Sequence, residues 1–135
     1  MLGGYGPRHV IDTLTRVRGP FNVAGPSLVT AEAAMWDQAY AEKCRDDNAR
    51  LRDWMVAEIN ALGIGCDESY GNFVLARFAD GPAADRANDW LKKGGLIVRS
   101  TASYKLPEAL RITVGDEAAC RSVIKFLREF VEAEA

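Results

Sequence analysis

The sequence predicts an α/β domain of the α+β type, a small mixed or antiparallel sheet with helices packed on one face. Three observations carry that expectation. Apolar residues recur at helical spacing from Val10 to Leu62, "NFVLARF" at 72–78 switches to strict alternation, and the strand-like runs "LIVRS" and "LRITV" alternate with further helical segments. The resulting order is helix, long helix, strand, helix, strand, strand, helix.

The elements follow in order. Residues 1–6, "MLGGYG", read as extended chain, and Pro7 suits the first turn of a helix, where its missing N–H costs nothing. Val10, Leu14 and Val17, with Ile11 beside them, form one stripe. That helix should end near Arg18, before Gly19 and Pro20. The hinge "VRGPFNV" at 17–23 leads to Pro26 and Ser27, which open the next segment. Leu28, Ala31, Met35 and Ala39 make an early stripe, and Leu51, Met55, Ile59 and Leu62 a later one. The charged middle, "EKCRDDNARLRD", suits one long helix bent or broken near Asp46 to Asn48 and capped by Gly63.

In "NFVLARF", Phe73 and Leu75 share one face, and Asn72 and Val74 the other. Asp80, Gly81 and Pro82 make a turn into the short amphipathic helix "AADRANDWLKKG". "LIVRS" is a strand, "TASYKLPEA" a loop, and "LRITV" a strand with Leu110, Ile112 and Val114 toward the core. Gly115 and Asp116 open a last helix whose core face is Cys120, Val123, Leu127 and Phe130 or Val131.

Composition bounds the chemistry. The 135 residues fit one domain with a real core; 48% are hydrophobic and 27% charged. Seventeen basic residues face nineteen acidic ones, and the net charge of −2 argues against a nucleic-acid partner. Cys44, Cys66 and Cys120 are widely spaced and His9 is the only histidine, so no metal site is expected. No stretch approaches a membrane span and the opening residues carry no signal-peptide core. A cytoplasmic location is therefore expected, with no membrane partner.

The chemistry-bearing candidates are arginines. Arg111 alternates with Leu110 and Ile112, so it points away from the core. A guanidinium on a rigid strand can clamp a carboxylate through two parallel hydrogen bonds. The same pattern also fits a solvated arginine on the open face of a sheet, the commoner setting. Arg99 ends "LIVRS", where a strand end beside a loop suits a phosphate or carboxylate contact or a plain surface charge. Asn72 is either an orienting amide or a turn residue satisfied by its own backbone. Arg18 fits a cation near a helix C-terminus, and His9 a helix surface. Tyr5, Tyr70 and Tyr104 are each long enough to reach a ligand, and the sequence does not choose among them. No nucleophile elbow, phosphate loop or calcium loop is present.

Taken together, "GY" at 4–5, "LTRVRGPFNV" at 14–23, "NFVLARF" at 72–78, "GLIVRS" at 95–100 and "LRITVG" at 110–115 resemble one family. In order and spacing the chain is similar to the C-terminal part of the histidinol-phosphate aminotransferases, within the fold type I pyridoxal-phosphate enzymes. The resemblance runs from residue 3 to the last helix. It implies a small C-terminal domain with a three- to four-stranded, mostly antiparallel sheet. Residues 1–25 would match the end of the large domain and the hinge, and 26–135 the small domain with its long leading helix.

The family's function would then be amino-group transfer between histidinol phosphate and 2-oxoglutarate, in histidine biosynthesis. Arg111 would bind the substrate α-carboxylate, Arg99 a phosphate or carboxylate, and Asn72 would lie near the same strand cluster. The resemblance also implies a Schiff-base lysine and an aspartate for the pyridine nitrogen, both upstream of the point matching "GY". None of Lys43, Lys92, Lys93, Lys105 and Lys125 matches that lysine. A C-terminal fragment is therefore expected, with no catalytic residue of its own, no bound pyridoxal phosphate and no transamination alone. Its implied partners are the small-molecule substrate, the missing large domain and a homodimer mate. Two other readings stay open. One is a free-standing anion-binding or protein-interaction domain, the other a fragment of an aminotransferase for another amino acid.

Overall fold

A computed structural model describes residues 6–19 and 22–134. The expectations for the "MLGGY" opening and for Pro20 and Phe21 of the hinge lie outside the described residues. The chain forms two compact units, Met1–Lys43 and Cys44–Ala135.

The first unit is helical. Helix α1 spans Arg8–Val17, with Pro7 as its N-cap and Arg18 as its C-cap. Its apolar residues Val10, Ile11, Leu14 and Val17 are exposed. Helix α2 spans Gly25–Trp36, with proline in its first turn. Helix α3 spans Gln38–Ala61, so the boundary between the units falls within it and most of its length belongs to the second.

The long segment is therefore broken, but at Asp37 rather than near Asp46 to Asn48. Asp37 leaves the helical region with φ −82° and ψ 69°. Its carboxylate accepts the Tyr40 N–H at 3.1 Å, and the Gln38 side-chain amide donates to the Met35 carbonyl at 2.6 Å. Both ends of the break are thus satisfied by polar side chains. The charged run is exposed over 42–47 and already turns Leu51 into the core, and charge alone does not interrupt the backbone ladder.

The second unit holds the sheet. Strands β1 (Gly65–Cys66), β2 (Phe73–Arg77), β3 (Arg99–Ser100) and β4 (Ala109–Thr113) stand in the order β1-β2-β4-β3. Every pairing is antiparallel. Helices α4 (Gly81–Lys93) and α5 (Glu117–Glu134) complete it. This is the small antiparallel sheet with packed helices that the sequence predicts.

Side-chain alternation sends Val74, Ala76, Leu110 and Ile112 into one core with Met55 and Ile59 of α3, Leu91 of α4 and Leu127 of α5. Fully burying each large member contributes about 1.5–3 kcal/mol. On α5 the buried residues are Cys120, Val123, Ile124, Leu127 and Phe130. The 3.6-residue period selects Phe130 over Val131.

Caps set the element ends. Asp80 and Asp116 accept the N–H groups of Ala83 and Ala119 at 2.8 and 2.7 Å, starting α4 and α5. Gly63 and Gly95 have φ of +77° and +78° and stop α3 and α4. In each case the following residue bonds back five positions, Ile64 to Ile59 and Leu96 to Leu91. The second of these turns explains a correction. The predicted strand "LIVRS" is reduced to Arg99–Ser100, because Leu96 still belongs to the helix cap.

Candidate functional site: a paired-arginine sheet face

The face of the sheet away from the core carries Phe73, Leu75 and Arg77 on β2, Arg111 and Thr113 on β4, and Arg99 on β3. Register places them: Leu75 and Arg99 stand directly opposite Arg111 on its two sides, and Phe73 opposite Thr113. The two arginines singled out from sequence thus meet as a cross-strand pair. Like charges directly opposite are unfavourable unless something holds or neutralises them.

Each guanidinium has an aromatic partner. Arg111 lies over the Phe73 ring, 4.2 Å from its centroid, on the diagonal that antiparallel pairing makes available. It is half-buried, and its Nε is buried with no hydrogen-bond partner among the described residues. Arg99 is exposed; its Nη2 donates to the Tyr104 hydroxyl at 2.6 Å and its Cζ lies 5.3 Å from that ring's centroid. Such an arrangement offers an anion two forks of N–H donors on a rigid platform, with one buried donor otherwise unsatisfied.

Asn72 precedes β2. Its main-chain carbonyl accepts the Val114 N–H at 2.9 Å, which puts it beyond the Thr113 end of β4. Its exposed side chain makes no hydrogen bond to either arginine among the described residues. Asn72 therefore borders the face without joining the pair. Phe73 and Tyr104 are the contributors that sequence reasoning did not single out as partners. The Phe73 stack was accessible from alternation and register once β2 and β4 were paired. The Tyr104 contact depends on the path of the loop and has no periodic signal.

Among the described residues no lysine lies on the strands of this face, and Asp67, just after β1, is tied to Arg77, whose Nε donates to its carboxylate at 2.9 Å. Lys92 pairs with Asp89 and Lys125 with Glu129, both on helix surfaces, and Lys105 sits in a left-handed turn with φ 64°. Without a lysine, the face does not fit the covalent anchoring that pyridoxal phosphate requires.

Elsewhere, burial pushes the Cys66 and Cys120 thiols up, so neither is an activated nucleophile. The groove between α3 and α5 is lined by Trp54, Glu58, Arg121 and Arg128. Its two arginines are already paired: Arg121 with Glu117 at 2.7 Å and Arg128 with Glu58 at 3.2 Å. Among the described residues no cluster of three or more His, Cys, Asp or Glu could hold a metal, and no helix is long and apolar enough to cross a membrane.

Comparison with known proteins gives the family of the chain. The sequence pattern of "Aminotransferase class I and II" matches residues 3–127. The chain is 54% identical over 127 residues to histidinol-phosphate aminotransferase of Dinoroseobacter shibae, covering 94% of this chain and 35% of that protein. It is 51% identical over 132 residues to the enzyme of that name from Ruegeria pomeroyi, covering 98% and 37%. The chain thus spans little more than a third of the length of these relatives.

Among solved structures, histidinol-phosphate aminotransferase from Sinorhizobium meliloti in complex with pyridoxal-5'-phosphate shares the fold, with a TM-score of 0.87 at 22% identity over 94% of this chain and 35% of that one. The enzyme of that name from Clostridium acetobutylicum matches with a TM-score of 0.82 at 18% identity, over 93% and 38%.

Proposed function

Since this chain belongs to the aminotransferase class I and II family, we propose that it is the substrate-gripping C-terminal part of a pyridoxal-phosphate-dependent histidinol-phosphate aminotransferase. The reaction would move an amino group between histidinol phosphate and 2-oxoglutarate. Residues 1–25 would end the large lobe and form the hinge, and 26–135 would form the small lobe. That is a division of the whole enzyme, separate from the compact-unit boundary at Lys43 and Cys44.

The observation that carries the reading is the Arg99–Arg111 cross-strand pair, with the buried, unpartnered Nε of Arg111. A glutamate or 2-oxoglutarate brings a carboxylate, which the Arg111 fork takes through two parallel bonds. Histidinol phosphate has no carboxylate and brings a phosphate monoester in its place. The more highly charged group uses Arg99 as well, and its binding relieves the repulsion between the two cations. Asn72 is assigned a polar contact from the edge of the face. The role is positioning and exclusion of water, with no proton transferred by this chain.

The cofactor would supply the electron sink, held by residues outside this chain. The chain alone is therefore expected neither to hold pyridoxal phosphate nor to transaminate. The exposed apolar residues Leu28, Met35 and Trp36 of α2 support docking against a cofactor-bearing lobe. A homodimer and a cytoplasmic location complete the proposal.

Titration of the isotopically labelled chain with histidinol phosphate and with L-glutamate tests it by NMR. Both ligands should shift β2, β3 and β4 signals, and Arg111→Gln should weaken both by about tenfold or more. Parent-level binding by that variant defeats the assignment. Added pyridoxal phosphate should give no chain-bound visible absorbance that responds to histidinol phosphate.

A further inference from the structure

We infer that Tyr104 is the positioning residue of the anion grip: it holds the Arg99 guanidinium beside Arg111, and so sets a preference for a phosphate monoester over a carboxylate. This rests on the proposed role of the two arginines as ligand contacts.

Arg99 needs such a holder. It is an exposed side chain on a two-residue strand at the edge of the sheet, directly opposite another cation. Both its rotamer entropy and the repulsion from Arg111 favour swinging away into solvent. Arg111 is already fixed by its partial burial and the Phe73 ring. Tyr104 restrains Arg99 in two ways, through the 2.6 Å hydrogen bond to its hydroxyl and through ring contact at 5.3 Å.

Tyr104 is in turn placed by a closed loop. It ends a 3₁₀ turn at Ala102–Tyr104, and its N–H bonds to the Thr101 carbonyl at 2.9 Å. Thr101 is only 4% exposed. Its hydroxyl lies 2.8 Å from both the Leu106 and Ala109 carbonyls, and its carbonyl also takes the Leu106 N–H at 3.3 Å. Lys105 makes the reversal with φ 64°. The loop therefore hangs from one buried threonine tied to the start of β4, and its phenol is delivered to the arginine five residues back.

The selectivity follows from counting donors. A carboxylate has two oxygens, and the Arg111 fork fills them. A phosphate monoester has three terminal oxygens and a larger charge, so it uses a second guanidinium. The phenol adds a third donor: it accepts from Arg99 through a lone pair and keeps its own O–H to give. Losing Tyr104 should therefore weaken the phosphate ligand and spare the carboxylate one.

The test uses the full 135-residue chain with histidinol phosphate and L-glutamate as probes, and compares the parent with Tyr104→Phe, Tyr104→Leu and Arg99→Gln. Tyr104→Phe should weaken histidinol phosphate about three- to tenfold and leave L-glutamate within about twofold. The Arg99 side-chain NMR signals, distinct in the parent, should collapse toward those of freely rotating arginines, with the melting temperature unchanged. Tyr104→Leu should do the same more strongly. Parent-like phosphate affinity and Arg99 signals in Tyr104→Phe overturn the inference alone, provided Arg99→Gln still weakens histidinol phosphate. If Arg99→Gln binds as the parent does, Arg99 is no ligand contact, and the underlying assignment falls together with the inference.

Discussion

A single buried hydroxyl does much of the local organising around the site. Thr101 brings together the end of β3, the 3₁₀ turn and the start of β4, and its oxygen is shielded from water. Thr101→Val keeps the shape and removes the one hydroxyl proton that the Leu106 and Ala109 carbonyls share; the Ala109 carbonyl keeps the main-chain N–H of residue 101. The expected cost is about 1–3 kcal/mol, read as a lower midpoint in urea denaturation with an unchanged slope. Arg99→Gln, in contrast, alters an exposed side chain and should leave that midpoint within about 0.5 kcal/mol. Comparing the two separates loop integrity from ligand contact.

At the scale of elements, two neighbouring glycines at the end of α4 do different jobs. Gly95 has φ +78° with open space where a side chain would begin, so Gly95→Ala should cost about 1 kcal/mol through backbone strain alone. A Cβ on Gly94 would run into the ring of Phe126 on α5. Gly94→Ala should therefore cost about 1–3 kcal/mol and loosen the α4–α5 contact. Thermal melts of both variants, with the Phe126 ring NMR signals as a packing probe, check the ranking.

Most elements were legible for the same local reasons. Period-2 alternation marked β2 and β4, apolar stripes marked α1 and α5, and Gly63 carried its helix stop in its identity. The misplacements have a common cause. The break at Asp37 rests on one carboxylate turning back onto the Tyr40 N–H, a contact with no periodic signal in the sequence. The shortened β3 depends on how many residues the preceding cap consumes. Arg99 and Arg111 were recognisable as outward-facing, whereas their opposition across two strands follows from register, which no single strand encodes.

For the molecule as a whole, acid stability is set partly by carboxylates that tie elements together. Glu117 on α5 accepts from Arg121 and from Arg50 of α3, and those hydrogen bonds hold its carboxyl below the usual range. Glu134 is lowered in the same way by Arg86 of α4. The unfolded chain takes up these protons at higher pH than the folded one does. The stabilisation is therefore complete above the ordinary carboxylate pKa and is lost as pH falls below about 4.5 through the lower folded values. The melting temperature should drop over that range. Glu117→Gln combined with Glu134→Gln should flatten the drop, and so should high salt, because both pairs are exposed.

The sheet order β1-β2-β4-β3 ends on a two-residue strand at either side. Such stubs offer a newcomer almost no run of backbone groups on which to extend the ladder, and one of them bears a charged arginine. Fibrillar growth by strand addition is thereby discouraged in a domain whose two five-residue strands would otherwise be good templates. Any self-association of the chain should proceed through its helices.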